Sequence, residues 1–271
     1  MGIDHYENFP VASILLPGHL RRPVTLIYRF ARSADDFADE GDDPPELRLH
    51  KLGEYQSELN RIENNEPPQT NLFIELGQMI RQHRLPVRLF RDLLSAFAQD
   101  VVKGRYNDFA AVLDYCRRSA NPVGRLLLHL YEATSEINFA HSDNICTSLQ
   151  LINFLQDVEL DYQKNRIYFP LDEMQRYGIS EAQIAAHDVS GAWEDFMRFQ
   201  IDRAADMLNA GAPLGRALPG RIGLELRTIV SGGSRILEKL RAVHGDVFRH
   251  RPVLRPLDWV MMIYRATLAY R

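Results

Sequence analysis

Arg32-Ser33-Ala34-Asp35-Asp36-Phe37-Ala38-Asp39 ends a helical stretch whose apolar face begins with Val24, Ile27, Tyr28 and Ala31. At roughly 100° per residue, Tyr28, Arg32, Asp35 and Asp39 fall within about 60° of arc. The two acids therefore extend the stripe that a core would occupy. Far downstream, Gln150, Asn153, Asp157 and Asp161 repeat the rhythm, each one helical turn from the last. Side chains at i and i+4 share a helix face, so each aspartate pair points both carboxylates one way. Inward acids on two distant helices predict helices that face each other across a polar hollow.

Charge arithmetic says what such a hollow is for. Two unit charges about 6 Å apart at an effective dielectric of 20 repel by roughly 3 kcal/mol. Removing each carboxylate from water costs several kcal/mol more unless it is paired. A divalent cation is the simplest remedy, and an all-oxygen ligand set selects a hard ion such as Mg²⁺. Mg²⁺ rarely accepts an all-protein cage and completes its shell with water and substrate phosphates. Asp35, Asp39, Asp157 and Asp161 thus read as the metal ligands of a metal–diphosphate clamp, against the plainer reading of a solvated acidic face.

Composition sets the bounds. With 271 residues, 45% of them hydrophobic and 25% charged, the chain has material for one large soluble helical domain, taken as residues 1–271. Lys plus Arg (32) against Asp plus Glu (36) leaves a charge of −4, which argues against general nucleic-acid binding. Cys116 and Cys146 form no CxxC and read as buried small hydrophobes in a reducing, cytoplasmic setting. No apolar run approaches the length of a membrane span, and the polar MGIDHYENFP start does not read as a signal peptide.

Nearly everything follows a 3.6-residue period, with no sustained strand alternation. A first helix from about Arg21 to Asp39 stops before Gly41, placed at C′. Asp43 is expected as the next N-cap, with Pro44 at N1 and Glu46 completing a capping box, which makes both acids structural. A loop at Asn64–Gln69 and a break at Lys103–Asp108 follow. Helices are expected over about Phe109–Arg118, Val123–Glu136 and His141–Asp161, then a loop at Tyr162–Pro170. Ser180 reads as an N-cap with Gln183 at N3. Gly211–Gly223 looks like the longest flexible connection. Helices near Leu224–His244 and Leu257–Tyr270 close the chain around an Arg/Pro linker, Arg249–Pro256. Gly232-Gly233-Ser234 lies inside a helical pattern and reads as a close-packing site.

Other chemistries lack their residues. The nine His form neither HExxH nor the Glu-x-x-His pairs of a di-metal bundle. There is no G-x-S-x-G elbow, no P-loop and no strand–GxGxxG–helix unit, so a nicotinamide cofactor has no visible seat.

The two acidic stretches resemble the paired aspartate-rich motifs of squalene and phytoene synthases, and Asn165-Arg166-Ile167-Tyr168-Phe169-Pro170 is similar to the segment after that family's second motif. The likeness runs from about His5 to Phe248. It implies an all-α isoprenoid-synthase helical bundle around a central cavity, Mg²⁺, and prenyl diphosphate chemistry. By that resemblance Asp35, Asp39, Asp157 and Asp161 hold Mg²⁺, and Arg32, Asn153, Gln150 and Arg166 serve the diphosphate. Tyr28, Phe9 and Tyr168 are candidate aromatic walls for a carbocation.

Several positions depart from the family pattern. Gln156 stands where Arg is usual, one cation fewer near the phosphates. Leu160 precedes Asp161 where an acid is common, and Glu159 is displaced toward the opposite face. The HYENFP start, ARSADDFADE, Ser119-Ala120-Asn121-Pro122-Val123-Gly124 and the Gln156-Asp157-Val158 variant together resemble the hydroxysqualene synthase branch of bacterial hopanoid biosynthesis. That branch implies presqualene diphosphate plus water giving hydroxysqualene and diphosphate, as a lyase, without NADPH. Two alternatives stay open: a head-to-head prenyltransferase joining farnesyl or geranylgeranyl diphosphates, and a non-catalytic assembly subunit. Tyr115 and Asn121 are the candidates for placing the attacking water. A lipid substrate implies contact with the inner membrane, and Trp259–Tyr264, with Arg249, Arg251 and Arg255 nearby, is the candidate surface; the competing expectation is a core-packed final helix.

Overall fold

The computed structural model describes residues 16–268, so Phe9, the rest of the HYENFP start and Tyr270 lie outside the described residues. Helix α1 (Gly18–Asp39) buries Val24, Ile27, Phe30, Ala34 and Ala38, so the packed face is centred beside the stripe read from the sequence, of which Val24 and Ile27 are buried and Tyr28 and Ala31 half-buried. Glu40 caps it and Gly41 follows at a φ of 74°, the left-handed value expected at C′. Helix α2 (Pro45–Glu63) begins one residue later than expected: Pro44 is the N-cap and Pro45 opens the helix, because either proline satisfies the missing-donor rule of the first turn. Asp43 is structural in another way, pairing with Lys51 at 2.5 Å.

Helices α3 (Asn71–His83) and α4 (Val87–Val102) complete a first half, in which Phe30 is packed edge-on by Phe73 and Phe90. Two short strands, β1 (Arg105–Tyr106) and β2 (Ile167–Pro170), pair in parallel where loops were expected. They are too short for alternation to register in sequence. At the crossing, Gly104 is obligatory, since a Cβ there would collide with the Asn165 carbonyl.

Helices α5 (Phe109–Ser119) and α6 (Asn121–Leu130) meet at a bend, with Pro122 in the first turn of α6. Helix α7 (Glu136–Gln156) starts earlier than expected, because Ser135 accepts a hydrogen bond from the Asn138 amide and so caps it. It also stops sooner. Asp157 leaves helical geometry (φ −108°, ψ 20°), and α8 (Val158–Gln163) resumes after it. The Asp157 amide still donates to Asn153 O at 2.9 Å, and the Asp161 amide to Asp157 O at 2.8 Å, so the two acids remain one turn apart across the break.

Helix α9 (Leu171–Tyr177) leads to α10 (Glu181–Ala185), capped by Ser180 through the Gln183 amide as expected. Helix α11 (Trp193–Gly211) packs along α7. The Gly/Pro stretch after it is packed rather than flexible. It holds α12 (Leu214–Ala217) and the start of α13 (Gly220–Ala242), and at Gly223 an added Cβ would strike the Leu218 carbonyl. Gly233 lets α13 approach Leu208 and Leu149, where a Cβ would sit 3.0–3.1 Å from each. Helix α14 (Pro256–Leu268) lies against α13. Two hydrophobic clusters result, one from α1–α4 with part of α6, the other from α5, α7, β2, α11 and α13. Among the described residues no helix is long and apolar enough to cross a membrane.

Candidate active site

The seam between the two clusters is where the polar stripes meet. Asp35 and Asp39 from α1, Asp100 from α4, Tyr115 from α5, Gln150, Asn153 and Phe154 from α7, Asp157 at the junction, Asp161 from α8, and Arg166 and Tyr168 line one cavity of about 180 Å³. All four motif aspartates are half-buried and face this space.

Each pair contains one acid met by cations from elsewhere and one that is not. Arg166 Nη2 lies 2.6 Å from Asp39 Oδ1, and Lys164 Nζ lies 3.1 Å from Asp39 Oδ2. Burial pushes the Asp39 carboxyl up, but the hydrogen bond and charge of Arg166, then of Lys164, hold it below its ordinary value. Arg251 Nε lies 2.6 Å from Asp157 Oδ1. By contrast, burial followed by repulsion from Asp39 raises Asp35 to about 7, with Arg32 opposing. Burial followed by repulsion from Asp157 raises Asp161 to about 8. Arg32 is not on the cavity wall; it pairs with Asp35 (3.3 Å) and Asp36 (2.8 Å) along α1.

The turn carrying Lys164 and Arg166 is built by Asn165, whose φ of 58° is a left-handed conformation that Asn tolerates. The Arg166 amide returns to Asp161 O at 2.8 Å, and its side chain is nine-tenths buried. Arg105 clasps the same turn through Asn165 O (2.6 Å) and Glu181 (2.7 Å).

Asp100 was not singled out from sequence. Tyr115 Oη donates to it at 2.6 Å and Tyr168 Oη at 3.3 Å, while burial raises its carboxyl to about 6 against the Tyr115 hydrogen bond. A sequence signal exists: Asp100 continues the buried stripe Leu93, Ala96, Phe97 of α4, the same acid-on-core rhythm in a single copy. Tyr168 also stacks on Phe154, centroids 3.8 Å apart and nearly parallel.

A second cavity, of about 350 Å³ and almost wholly apolar, lies on the preceding turns of the same helices. On α1 it is lined by Val24, Ile27, Tyr28 and Ala31, one turn before Asp35; on α7 by Ile145, Cys146 and Leu149, immediately before Gln150. Tyr28 therefore belongs to the apolar space and Tyr168 to the acidic one. Cys116 is buried as expected, but Cys146 is only half-buried and forms part of the apolar wall.

Other expectations need correction. Gln156 faces away from the cavity and donates to Pro252 O at 2.7 Å, so its position adds no site for a phosphate-binding cation. Arg251, considered for lipid contact, instead reaches Asp157. Asn121 is engaged by Thr147 Oγ1 at 2.9 Å and does not line the acidic cavity, whereas Tyr115 does. Glu159 is on the opposite face as expected, 3.5 Å from His187 Nε2.

Among the described residues, no three carboxylate, His or Cys side chains converge on a single ion. The donor set is nevertheless all oxygen, and Asp35 and Asp161 are left with raised carboxyls that a cation would relieve. That fits a hard cation taking few protein ligands and filling its shell from water and phosphate.

An acid-lined cavity and an apolar one thus lie on successive turns of the same helices within an all-α bundle, and solved structures share this isoprenoid-synthase fold. The crystal structure of squalene synthase HpnC from Alicyclobacillus acidocaldarius matches with a TM-score of 0.82 at 33% identity, covering 89% of this chain and 90% of that one. A hydroxysqualene synthase of Rhodopseudomonas palustris is 33% identical over 262 residues, 96% of this chain and 87% of that protein. A phytoene synthase of Mycobacterium tuberculosis is 30% identical over 211 residues, 77% of this chain and 68% of that protein. A family model described as squalene/phytoene synthase matches residues 4–258, and the chain belongs to that family. The family is one of enzymes that act on prenyl diphosphates.

Proposed function

We propose that this chain is a magnesium-dependent enzyme converting presqualene diphosphate and water to hydroxysqualene and diphosphate, with no nicotinamide reductant. The observation that carries a prenyl diphosphate substrate is the placement of the two cavities on successive turns of α1 and α7: a polar one suited to a diphosphate and an apolar one suited to its hydrocarbon. The water-quenched product is favoured by the sequence likeness to hydroxysqualene synthases over most of the chain.

Asp35 and Asp39 on one side, and Asp157 and Asp161 on the other, would hold magnesium, which supplies charge to neutralise the diphosphate as its C–O bond breaks. Arg166 is held at the chamber wall by Asp39, and Lys164 and Arg251 stand behind Asp39 and Asp157 as their ion-pair partners, so positive charge is in place beside the leaving group without rearrangement. Gln150 and Asn153 offer amide groups to the same oxygens. The electron pair of the broken bond leaves with the diphosphate. Water adds to the cation and releases one proton, which balances the conversion of a diphosphate ester to an alcohol. Tyr115, Phe154 and Tyr168 form the aromatic part of the chamber wall and would shield the cation, with Asp100 fixing both tyrosine hydroxyls.

The phytoene synthase relatives favour a second reading, a head-to-head condensing transferase in the same chamber. Purified protein given Mg²⁺ and either presqualene or farnesyl diphosphate, without NADPH, separates the two. Alcohol from presqualene diphosphate alone supports the first; presqualene diphosphate accumulating from farnesyl diphosphate supports the second. No turnover of either would overturn both.

A further inference from the structure

Ten large hydrophobic side chains are exposed among the described residues, and four of them, Leu257, Val260, Ile263 and Tyr264, fall within little more than two turns of α14. On the helical wheel they span about 120°. The opposite side carries Asp258, Met262 and Ala266, all buried. The helix is firmly seated on that side. Arg235 Nε and Lys239 Nζ reach Asp258 at 2.7 and 2.5 Å, Arg265 Nη1 reaches Glu238 at 2.6 Å, and Arg227 Nε donates to Ala266 O at 2.9 Å. The apolar stripe is therefore the outer face of a fixed helix, and the core-packed reading holds only for the inner one.

Charge and size narrow what covers it. The only acid of α14, Asp258, is buried, while exposed Arg249, His250 and Arg255 precede the helix, Arg249 paired with Asp246 at 3.0 Å. An apolar face with cations beside it and no outward acid complements an anionic lipid surface. The strip is roughly 10 Å long and one helix wide, well short of the roughly 800 Å² per partner that a stable protein interface buries. Position agrees: Arg227, which holds the C-terminal part of α14, also donates to Gly215 O at 2.6 Å. Gly215 adjoins Leu214, a wall residue of the apolar cavity. Arg227 thus ties the inner face of α14 to the segment that follows Leu214.

We propose that α14 is the face by which the protein lies on an anionic bilayer, with Leu257, Val260, Ile263 and Tyr264 entering the headgroup–acyl boundary. Only the purpose of the contact, collecting a lipid-soluble substrate, rests on the proposed reaction; binding itself does not. The test is co-sedimentation of the full chain with phosphatidylethanolamine vesicles containing phosphatidylglycerol, beside vesicles of phosphatidylcholine alone. Wild type is expected to sediment with the anionic vesicles and less with the neutral ones. Val260→Glu/Ile263→Glu should weaken that binding at least about tenfold, with unchanged melting temperature and unchanged turnover of detergent-dispersed substrate. The proposal is overturned if wild type does not sediment or if the double variant sediments equally. It is also overturned if light scattering finds a dimer that the double variant dissociates, which would make the stripe a contact between copies.

Discussion

Asp35 and Asp39 sit on one unbroken helix, whereas Asp157 stands at a helix junction and Asp161 one turn into the next segment. Despite that difference the two pairs reach the same electrostatic arrangement: the junction-side acid Asp157 is paired by Arg251 and the chain-distal acid Asp39 by Arg166 and Lys164, leaving Asp35 and Asp161 raised. Spacing makes two carboxylates share a face; the cations opposite decide which of them is paired. Those cations come from the turn after α8, where Arg166 was expected near the diphosphate, and from the linker before α14, where nothing in the spacing marks Arg251 as a partner of Asp157.

The largest expected effect treats the pairs as equal. Asp35→Ala and Asp157→Ala should each lower turnover by about a thousandfold or more while the far-ultraviolet helical signal persists; residual activity above a few per cent in either would break the symmetry. Thermal melts should then divide the acids by partner. Asp39→Asn strands the buried Arg166 and should destabilise by roughly 1–3 kcal/mol. Asp161→Asn removes a raised, crowded carboxylate and should stabilise the metal-free protein by about 1 kcal/mol at pH 8.

Solution pH offers the next contrast. Because Asp35 and Asp161 titrate near 7 and 8 when folded but at the ordinary carboxylate value when unfolded, the folded state binds more protons between about pH 4 and 8. Their contribution to stability therefore falls as pH rises through that window. Metal-free melting temperatures should decline from pH 5 to 8, and Mg²⁺ with inorganic diphosphate should flatten the slope; a slope unchanged by both would count against a cation at these acids. The smallest effect concerns Gln156. Replacing it with Leu removes the bond to Pro252 O and should cost about 1 kcal/mol in a denaturant titration, with the activity of the folded protein retained.

Much of this was legible in the residues. The stripes of α1 and α7 placed the four acids, Gln150, Asn153 and the all-α class, because helical periodicity reports facing directly. Capping chemistry located α10 through Ser180. What escaped were features made by distant partners. Asp100 carries one acid with no second to flag it, and β1 and β2 are too short to alternate. Arg251, expected near a lipid surface, pairs with Asp157 because a linker carries no periodicity to report its facing, and Gln156 turns to Pro252 O because facing at a helix break does not follow the 100° step. Gly211–Gly223 looked loose because glycine signals both turns and close contacts, and only packing tells them apart.

The short strand pair has one last consequence. The Ile167 amide donates to Gly104 O at 2.8 Å and Arg105 grips the Asn165 carbonyl, so the turn presenting Lys164 and Arg166 is stapled to the end of α4. The cations proposed to serve the diphosphate would thus be preorganised, so that the entropy lost on docking falls on the ligand instead of on a folding flap. Amide hydrogen exchange at Ile167 should accordingly be slow in the ligand-free protein and change little when diphosphate arrives.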